Sequence, residues 1–259
     1  MMRVRVLTPL IAISILIISA CTRDESAVLM PVTTDSELAL ELYETGLVAY
    51  DQLKGELAWH NFQYAIREDP DFFMAHYWMY FLTSKTSKKV AEEAFQSDCE
   101  LNSGEELIRT SLKYLVDGQD EKVVESLKMV VDLYPLDPHV HKLLYLMQLD
   151  YMKDNEGAIE SMKRTIEVLP GYSPVYNYLG YAYMYLEEWE SAEEALDNYI
   201  KLAPEQANPY DSKGDFFMNT EQFGKAYESY MRAYEIDSSF AVSKKKAMKA
   251  RQMMEKVST

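Results

Sequence analysis

SPVYNYLGYAYMYLEEWESAEEALDNYIKLAP, Ser173 to Pro204, decides the fold of this chain. Tyr176, Leu179, Gly180 and Tyr183 come first, Ala192 and Leu196 follow, and Pro204 closes the stretch. Gly180 and Ala192 are small where two consecutive helices must approach one another. Tyr176, Tyr183 and Leu196 are large and fill the gaps between neighbouring helix pairs. Pro204 ends the second helix, because proline has no N–H and disfavours helical geometry in the residue before it.

These residues fall on the spacing W-x2-L-G-x2-Y…A-x3-F…P, with Tyr176 for Trp and Leu196 for Phe. The stretch resembles a tetratricopeptide repeat. The resemblance implies an all-α fold, a right-handed α-solenoid of about six helix-turn-helix repeats with a C-terminal capping helix. It also implies a protein that binds other proteins.

The frame extends along the chain. Residues 39–72 carry Gly46, Ala58, Phe62, Ala65 and Pro70 at the same offsets, with Leu42 in the tryptophan position. Residues 207–240 carry Tyr210, Gly214, Phe217, Ala226, Tyr230 and Ala233, with Ser238 in place of the closing proline. Residues 104–137 keep Leu107, Tyr114, Val123, Leu127, Val130 and Pro135, with Ser111 for the glycine. Residues 139–172 keep Ala158, Met162 and Pro170, with Leu146 for the glycine. Residues 73–103 show two helical patterns, Phe73–Leu82 and Lys88–Leu101, with hardly any signature residue; an irregular insertion is the competing reading. Asp137-Pro138, Ser173-Pro174 and Asn208-Pro209 read as helix starts with a capping residue and then proline. An array needs a solvated end. Residues 241–259 supply it, with Phe240, Ala247, Ala250, Met254 and Val257 on one helical stripe and Lys244, Lys245, Lys246, Lys249, Arg251 and Lys256 largely off it. A contact role for this basic helix is the alternative.

Charge and chemistry narrow the function. The net charge of −16 argues against nucleic acid, whose phosphates need a basic surface. His60, His76, His139 and His141 form no ligand set, since His139 and His141 point apart on a helix. No HExxH, CxxC, GxSxG or phosphate-binding loop occurs. Glu187, Glu188, Glu190, Glu193 and Glu194 read as a solvated helix face, and Cys99 as a small core residue. No enzyme, cofactor or metal is expected.

The amino terminus carries an address. Arg3 and Arg5 precede an apolar run from Val6 to Ile18, then Ile18-Ser19-Ala20-Cys21. That tetrapeptide resembles the bacterial lipobox. The resemblance implies a signal peptide over 1–20 and lipid on Cys21; an uncleaved transmembrane helix is the competing reading, for which the run is short. Thr22-Arg23-Asp24-Glu25 follow, similar to lipoproteins bound for the outer membrane, on its periplasmic or surface face. Residues 21–37 read as a flexible tether.

In tetratricopeptide proteins the first helix of each repeat lines a concave groove. Carried over by position, the groove candidates are Tyr43, Leu47 and Tyr50 in the first repeat; Leu143, Met147 and Tyr151 in the fourth; Asn177, Tyr181, Met184 and Tyr185 in the fifth; and Asp211, Asp215 and Met218 in the sixth. Asp150 and Asn219 take further groove positions, and the middle repeats would add Tyr77, Phe81, Ile108, Leu112 and Leu115. The family's cationic clamp for a terminal carboxylate is missing. The groove suits an apolar or amphipathic protein segment, with basic residues towards the sixth repeat. The expected function is a lipid-anchored, non-enzymatic scaffold of the bacterial envelope. An assembly factor similar in layout to a pilotin or an outer-membrane assembly lipoprotein is a narrower alternative. A glycan- or small-molecule-binding lipoprotein is an alternative of another class.

Overall fold

The computed structural model describes residues 29–82, 94 and 100–257. Among the described residues it is all-helical: α1 (Glu37–Asp51), α2 (Gly55–Glu68), α3 (Phe73–Leu82), α4 (Ser103–Val116), α5 (Asp120–Leu133), α6 (Pro138–Leu146, continuing as a π-helical turn Met147–Met152), α7 (Asn155–Val168), α8 (Pro174–Tyr185), α9 (Trp189–Leu202), α10 (Ala207–Asn219), α11 (Phe223–Ile236) and α12 (Ala241–Val257). The helices stack as successive antiparallel pairs, an α-solenoid that α12 closes by packing on α11. The expected signal peptide over 1–20, Cys21 and Cys99 lie outside the described residues, as does all but Ala94 of the helix that would partner α3.

The pairing follows from residue size. A methyl group added at Gly46 would stand 2.6 Å from the Phe62 ring, one at Gly180 2.8 Å from Leu196, and one at Gly214 2.5 Å from the Tyr230 ring. A methyl group at Gly46 or Gly214 would run into a ring, and one at Gly180 would force the Leu196 side chain to shift. The turn inside a pair is also fixed locally. Leu53, Gly118, Lys153, Glu187 and Glu221 all have φ between 56° and 68°, the left-handed conformation that ends a helix. The last three recur every 34 positions, while Gly118 and Lys153 stand one residue further apart. The π-helical turn in that interval is where a helix takes up an added residue. Leu146, bulky where the first, fifth and sixth units have glycine, immediately precedes it.

Helix starts differ in part from expectation. Asp137 caps α6, accepting from the His139 and Val140 amides, with Pro138 next. Ser173 makes no side-chain cap, and Asn208 lies inside α10, where its carbonyl accepts from the Tyr199 hydroxyl at 3.0 Å. Asn102 and Glu105 form a reciprocal capping box at α4 that the spacing did not announce.

The tryptophan position of the repeat has a shared task. His76 Nε2 lies 2.8 Å from the Pro70 carbonyl and His141 Nε2 2.9 Å from that of Pro135. The Tyr176 and Tyr210 hydroxyls reach the Pro170 and Pro204 carbonyls at 3.5 and 3.2 Å. Each ring satisfies the carbonyl six residues earlier, just beyond the preceding helix.

The stretch read as a flexible tether is pinned along its last part. The Met30 amide donates to Asp137 at 3.0 Å, and the Thr33 amide and hydroxyl donate to Glu105 at 2.8 and 2.5 Å. Asn102 donates to the Pro31 carbonyl, and the Thr34 hydroxyl to Asp69. Residues 29–36 therefore form an extended strap across the starts of α4 and α6. Its polar partners are side chains at or near helix ends, and two of them, Glu105 and Asp137, are buried.

Candidate binding surface

The first helices of the pairs, α1, α3, α4, α6, α8 and α10, form the inner face. Their side chains meet across it, so much of the expected groove is closed. Tyr43, Leu47, Leu143, Met147, Asn177, Met184 and Asp211 are buried, and they correct the expectation of an open groove at those positions. So do Tyr77, Ile108 and Leu112, which are buried in the core. The physical reason is the tight winding: the first helix pair reaches the fourth, fifth and sixth. Tyr50 is half-buried and packs against Trp78, ring centres 5.2 Å apart and planes tilted by 58°. Tyr151 is half-buried against Tyr80 and Phe81.

Asp51, at the end of α1, is the hub of this closure. Lys142 Nζ donates to Asp51 Oδ1 at 2.8 Å, the Tyr172 hydroxyl donates to the same oxygen at 2.8 Å, and His139 Nε2 stands 3.4 Å from Oδ2. The Lys142 ammonium is wholly buried and sits 4.2 Å from the Tyr50 ring centre and 5.4 Å from that of Tyr178. Burial pushes the Asp51 carboxyl up, but the nearby His139 ring and Lys142 ammonium outweigh it and hold it at about 2. Burial also lowers the Lys142 ammonium, against the pull of Asp51. Sequence reasoning missed this centre. A signal existed: Lys142 is a lone cation beside the apolar run Leu143–Leu146.

The sixth unit holds a second polar cluster. Lys246 of α12 donates to Asp211 at 2.7 Å and Asp215 at 2.9 Å. The Ser243 hydroxyl donates to Asp211, and the Tyr181 and Tyr230 hydroxyls donate to the two oxygens of Asp215, each at 2.6 Å. The place expected for a partner's basic residue is thus taken by the chain's own lysine. Asn177 is engaged from the same side, accepting from Ser212 at 2.7 Å. The Glu-rich face of α9 is likewise not wholly solvated: Lys213, nearly buried, binds Asp197 at 2.7 Å and Glu193 at 3.1 Å.

What stays open on the inner face is its rim. Tyr185, in the last turn of α8, is 74% exposed, and Tyr181, one turn back, is 38% exposed. Met218 is half-buried and Asn219 exposed at the matching end of α10. Toward the other end, α1, α3, α6 and the strap enclose a cavity of about 240 Å³. Tyr43, Leu47 and Leu143, three of the groove candidates, line it with Met74, Trp78 and Val140.

Residues 207–240 match the family model of the tetratricopeptide repeat. The span holds Gly214 against Tyr230, the same crossing seen at Gly46 and Gly180. The chain carries a tetratricopeptide repeat. Its solenoid is similar to TTC0263, a thermophilic tetratricopeptide protein of Thermus thermophilus, at TM-score 0.52 and 18% identity over 83% of this chain and 99% of that one. MamA from Desulfovibrio magneticus RS-1 is similar at TM-score 0.43 and 16% identity, over 79% of this chain and 98% of that one. At these identities the likeness is one of fold. No curated protein matches the sequence.

The tetratricopeptide fold supports binding of a protein or peptide, and its members are typically non-catalytic scaffolds. In this tetratricopeptide array, the expected surface is divided. The first and fourth repeats give their inner positions to the core and the cavity. The fifth and sixth keep a rim on which Tyr181, Tyr185 and Asn219 are exposed and Asp215 and Met218 half-buried. The capping stripe is also thinner than expected: Ala247 and Ala250 are buried with Ser243, while Met254 and Val257 remain exposed.

Proposed function

We propose that the protein is a non-enzymatic scaffold, lipid-anchored to the bacterial envelope through Cys21, that holds a segment of a partner protein against the rim of the fifth and sixth repeats. The observation that carries the binding surface is Tyr185, a large aromatic side chain 74% exposed at the open end of an otherwise filled inner face. Tyrosine offers apolar area and a hydroxyl with little rotamer freedom to lose, which suits it to a contact hot spot. Met218 adds an adaptable apolar neighbour. The arrangement fits an amphipathic segment laid across the ends of α8 and α10. Lipid attachment is supported by the Ile18-Ser19-Ala20-Cys21 sequence, and an outer-membrane destination by Thr22 after it.

Two measurements test the reading separately. In a bacterial host, Cys21→Ala should abolish incorporation of an alkyne-tagged fatty acid and release the protein from the membrane fraction; retained labelling would overturn the anchor. Tyr185→Ala should lower recovery of the co-purifying partner by about tenfold, roughly 1.4 kcal/mol, with an unchanged thermal midpoint. Unchanged recovery would overturn the rim as the binding surface.

A further inference from the structure

The cavity between α1, α3 and α6 has a floor of Tyr43, Leu47, Met74, Trp78, Val140 and Leu143, all buried. Its mouth is bordered by Leu29 and Val48, which are 58% and 57% exposed. Apolar walls of this kind give a water molecule almost nothing to bind, so the space is poorly suited to water. Wall atoms facing a void also lose dispersion contacts that an apolar occupant would restore. The polar groups at the mouth are chiefly Glu44, Asp137 and His139. The Asp137 carboxylate already accepts from the Met30 and His139 amides.

The strap leads out of this mouth. Leu29 lines it, and Cys21 lies eight residues upstream, a reach of roughly 3.3–3.6 Å per residue at full extension. We propose that the cavity is a binding site for one alkyl chain of an uncharged glyceride, supplied by the protein's own anchor on Cys21. The carboxylates of Glu44 and Asp137 disfavour the negatively charged head of a free fatty acid at the mouth and tolerate an ester-linked glyceryl head. Held there, the chain lies against the inner ends of the first, second and fourth repeats rather than in a bilayer. The source of the chain rests on the lipidation of Cys21; the alkyl-binding property of the cavity does not.

The test uses the mature-length chain, residues 21–259, carrying Cys21→Ala, Trp59→Phe and Trp189→Phe. Trp78 on the cavity floor then reports alone. Titration with a monoacylglycerol brominated in mid-chain should quench its fluorescence saturably by more than half. The matching brominated fatty acid should bind at least tenfold more weakly. Val48→Asp, at the exposed mouth, should weaken glyceride binding at least tenfold without lowering the thermal midpoint, while Val140→Phe should fill the floor and remove binding. Absence of saturable quenching, or quenching indifferent to Val48→Asp, would overturn the site, whatever Cys21 carries. The lipidated protein retaining Cys21 should need at least tenfold more probe than the Cys21→Ala protein. Equal titrations, with lipid on Cys21 verified by mass spectrometry, would overturn the anchor as source and assign the cavity to a free glyceride.

Discussion

Lys142 Nζ lies 2.8 Å from Asp51 Oδ1, although the two residues are 91 positions apart and belong to the fourth and first helix pairs. The bond ties the end of α1 to the centre of α6, with Tyr172 on the same carboxylate oxygen. It explains why the inner face is closed here. An ammonium with no exposed surface must be paired, and its one carboxylate partner among the described residues is on the first repeat.

Removing one member should be far worse than removing both. Asp51→Asn is expected to destabilise the fold by about 3–5 kcal/mol, because it leaves Lys142 buried without a counter-charge. The double variant Asp51→Leu, Lys142→Met should recover most of that loss. Urea unfolding of the two variants and the wild type checks the ranking. Equal destabilisation by both would mean that the shape of the side chains, not the charge pair, holds the closure.

Acid should weaken the fold in two steps. Burial lowers His141 from its ordinary 6.5, so the folded state favours the neutral ring. Its contribution is complete above about pH 6.5 and falls as the pH drops below that value, because the unfolded chain takes up the proton first. Asp51, at about 2 in the fold against 3.8 ordinarily, contributes above the unfolded value and loses its contribution as pH falls from about 4 towards 2. The stability difference between wild type and Asp51→Asn should therefore stay constant from pH 7 to 5 and narrow below pH 4. Urea titrations at each pH give that difference directly.

The glycines should separate into two classes. Gly214→Ala is expected to cost about 1–3 kcal/mol, since the added carbon would stand 2.5 Å from the Tyr230 ring, which is held by its bond to Asp215. Gly180→Ala should cost less, because the opposing atoms belong to the more adaptable Leu196 side chain. Gly55→Ala at the start of α2 meets no atom within 4 Å and should stabilise by about 0.4–1 kcal/mol. Thermal melts of the three single variants suffice.

Lys246 should act as the fastener of the cap. Burial lowers its ammonium, but the hydrogen bonds from Lys246 to Asp211 and Asp215 outweigh that and raise it. The buried surface of α12 is otherwise only Ser243, Ala247 and Ala250. Lys246→Ala is expected to cost about 1–3 kcal/mol. Hydrogen exchange should quicken in α12 and α11 and stay unchanged in α1 to α5. Uniform quickening along the chain would argue against a local cap.

Much of the fold was legible because the repeat is written in size and backbone conformation. Gly46, Gly180 and Gly214, with the prolines that end helices, mark crossings and stops that depend on neighbours close in sequence. The strap and the Asp51–Lys142 pair depend on winding between distant repeats, which a 34-residue frame does not contain. The binding positions failed for the same reason. Periodicity placed Tyr43, Leu143 and Asn177 on the inner face, and the tight superhelix then buried that face. Tyr185 escapes because it stands in the last turn of α8, beyond the reach of the helices opposite. Lys246 could not be assigned to Asp211 and Asp215 from the sequence, since a lysine-rich helix reads equally as a solvated surface.

The central claim is that a partner is held on the inner rim of the fifth and sixth repeats. Photo-crosslinking residues placed singly at Tyr185, Met218, Tyr64 and Val168 in living cells test it most directly, since Tyr64 and Val168 are exposed on second helices away from the rim. The account predicts one adduct of the same mass from Tyr185 and Met218 and none from Tyr64 or Val168. Adducts from Tyr64 or Val168 with none from Tyr185 would contradict it.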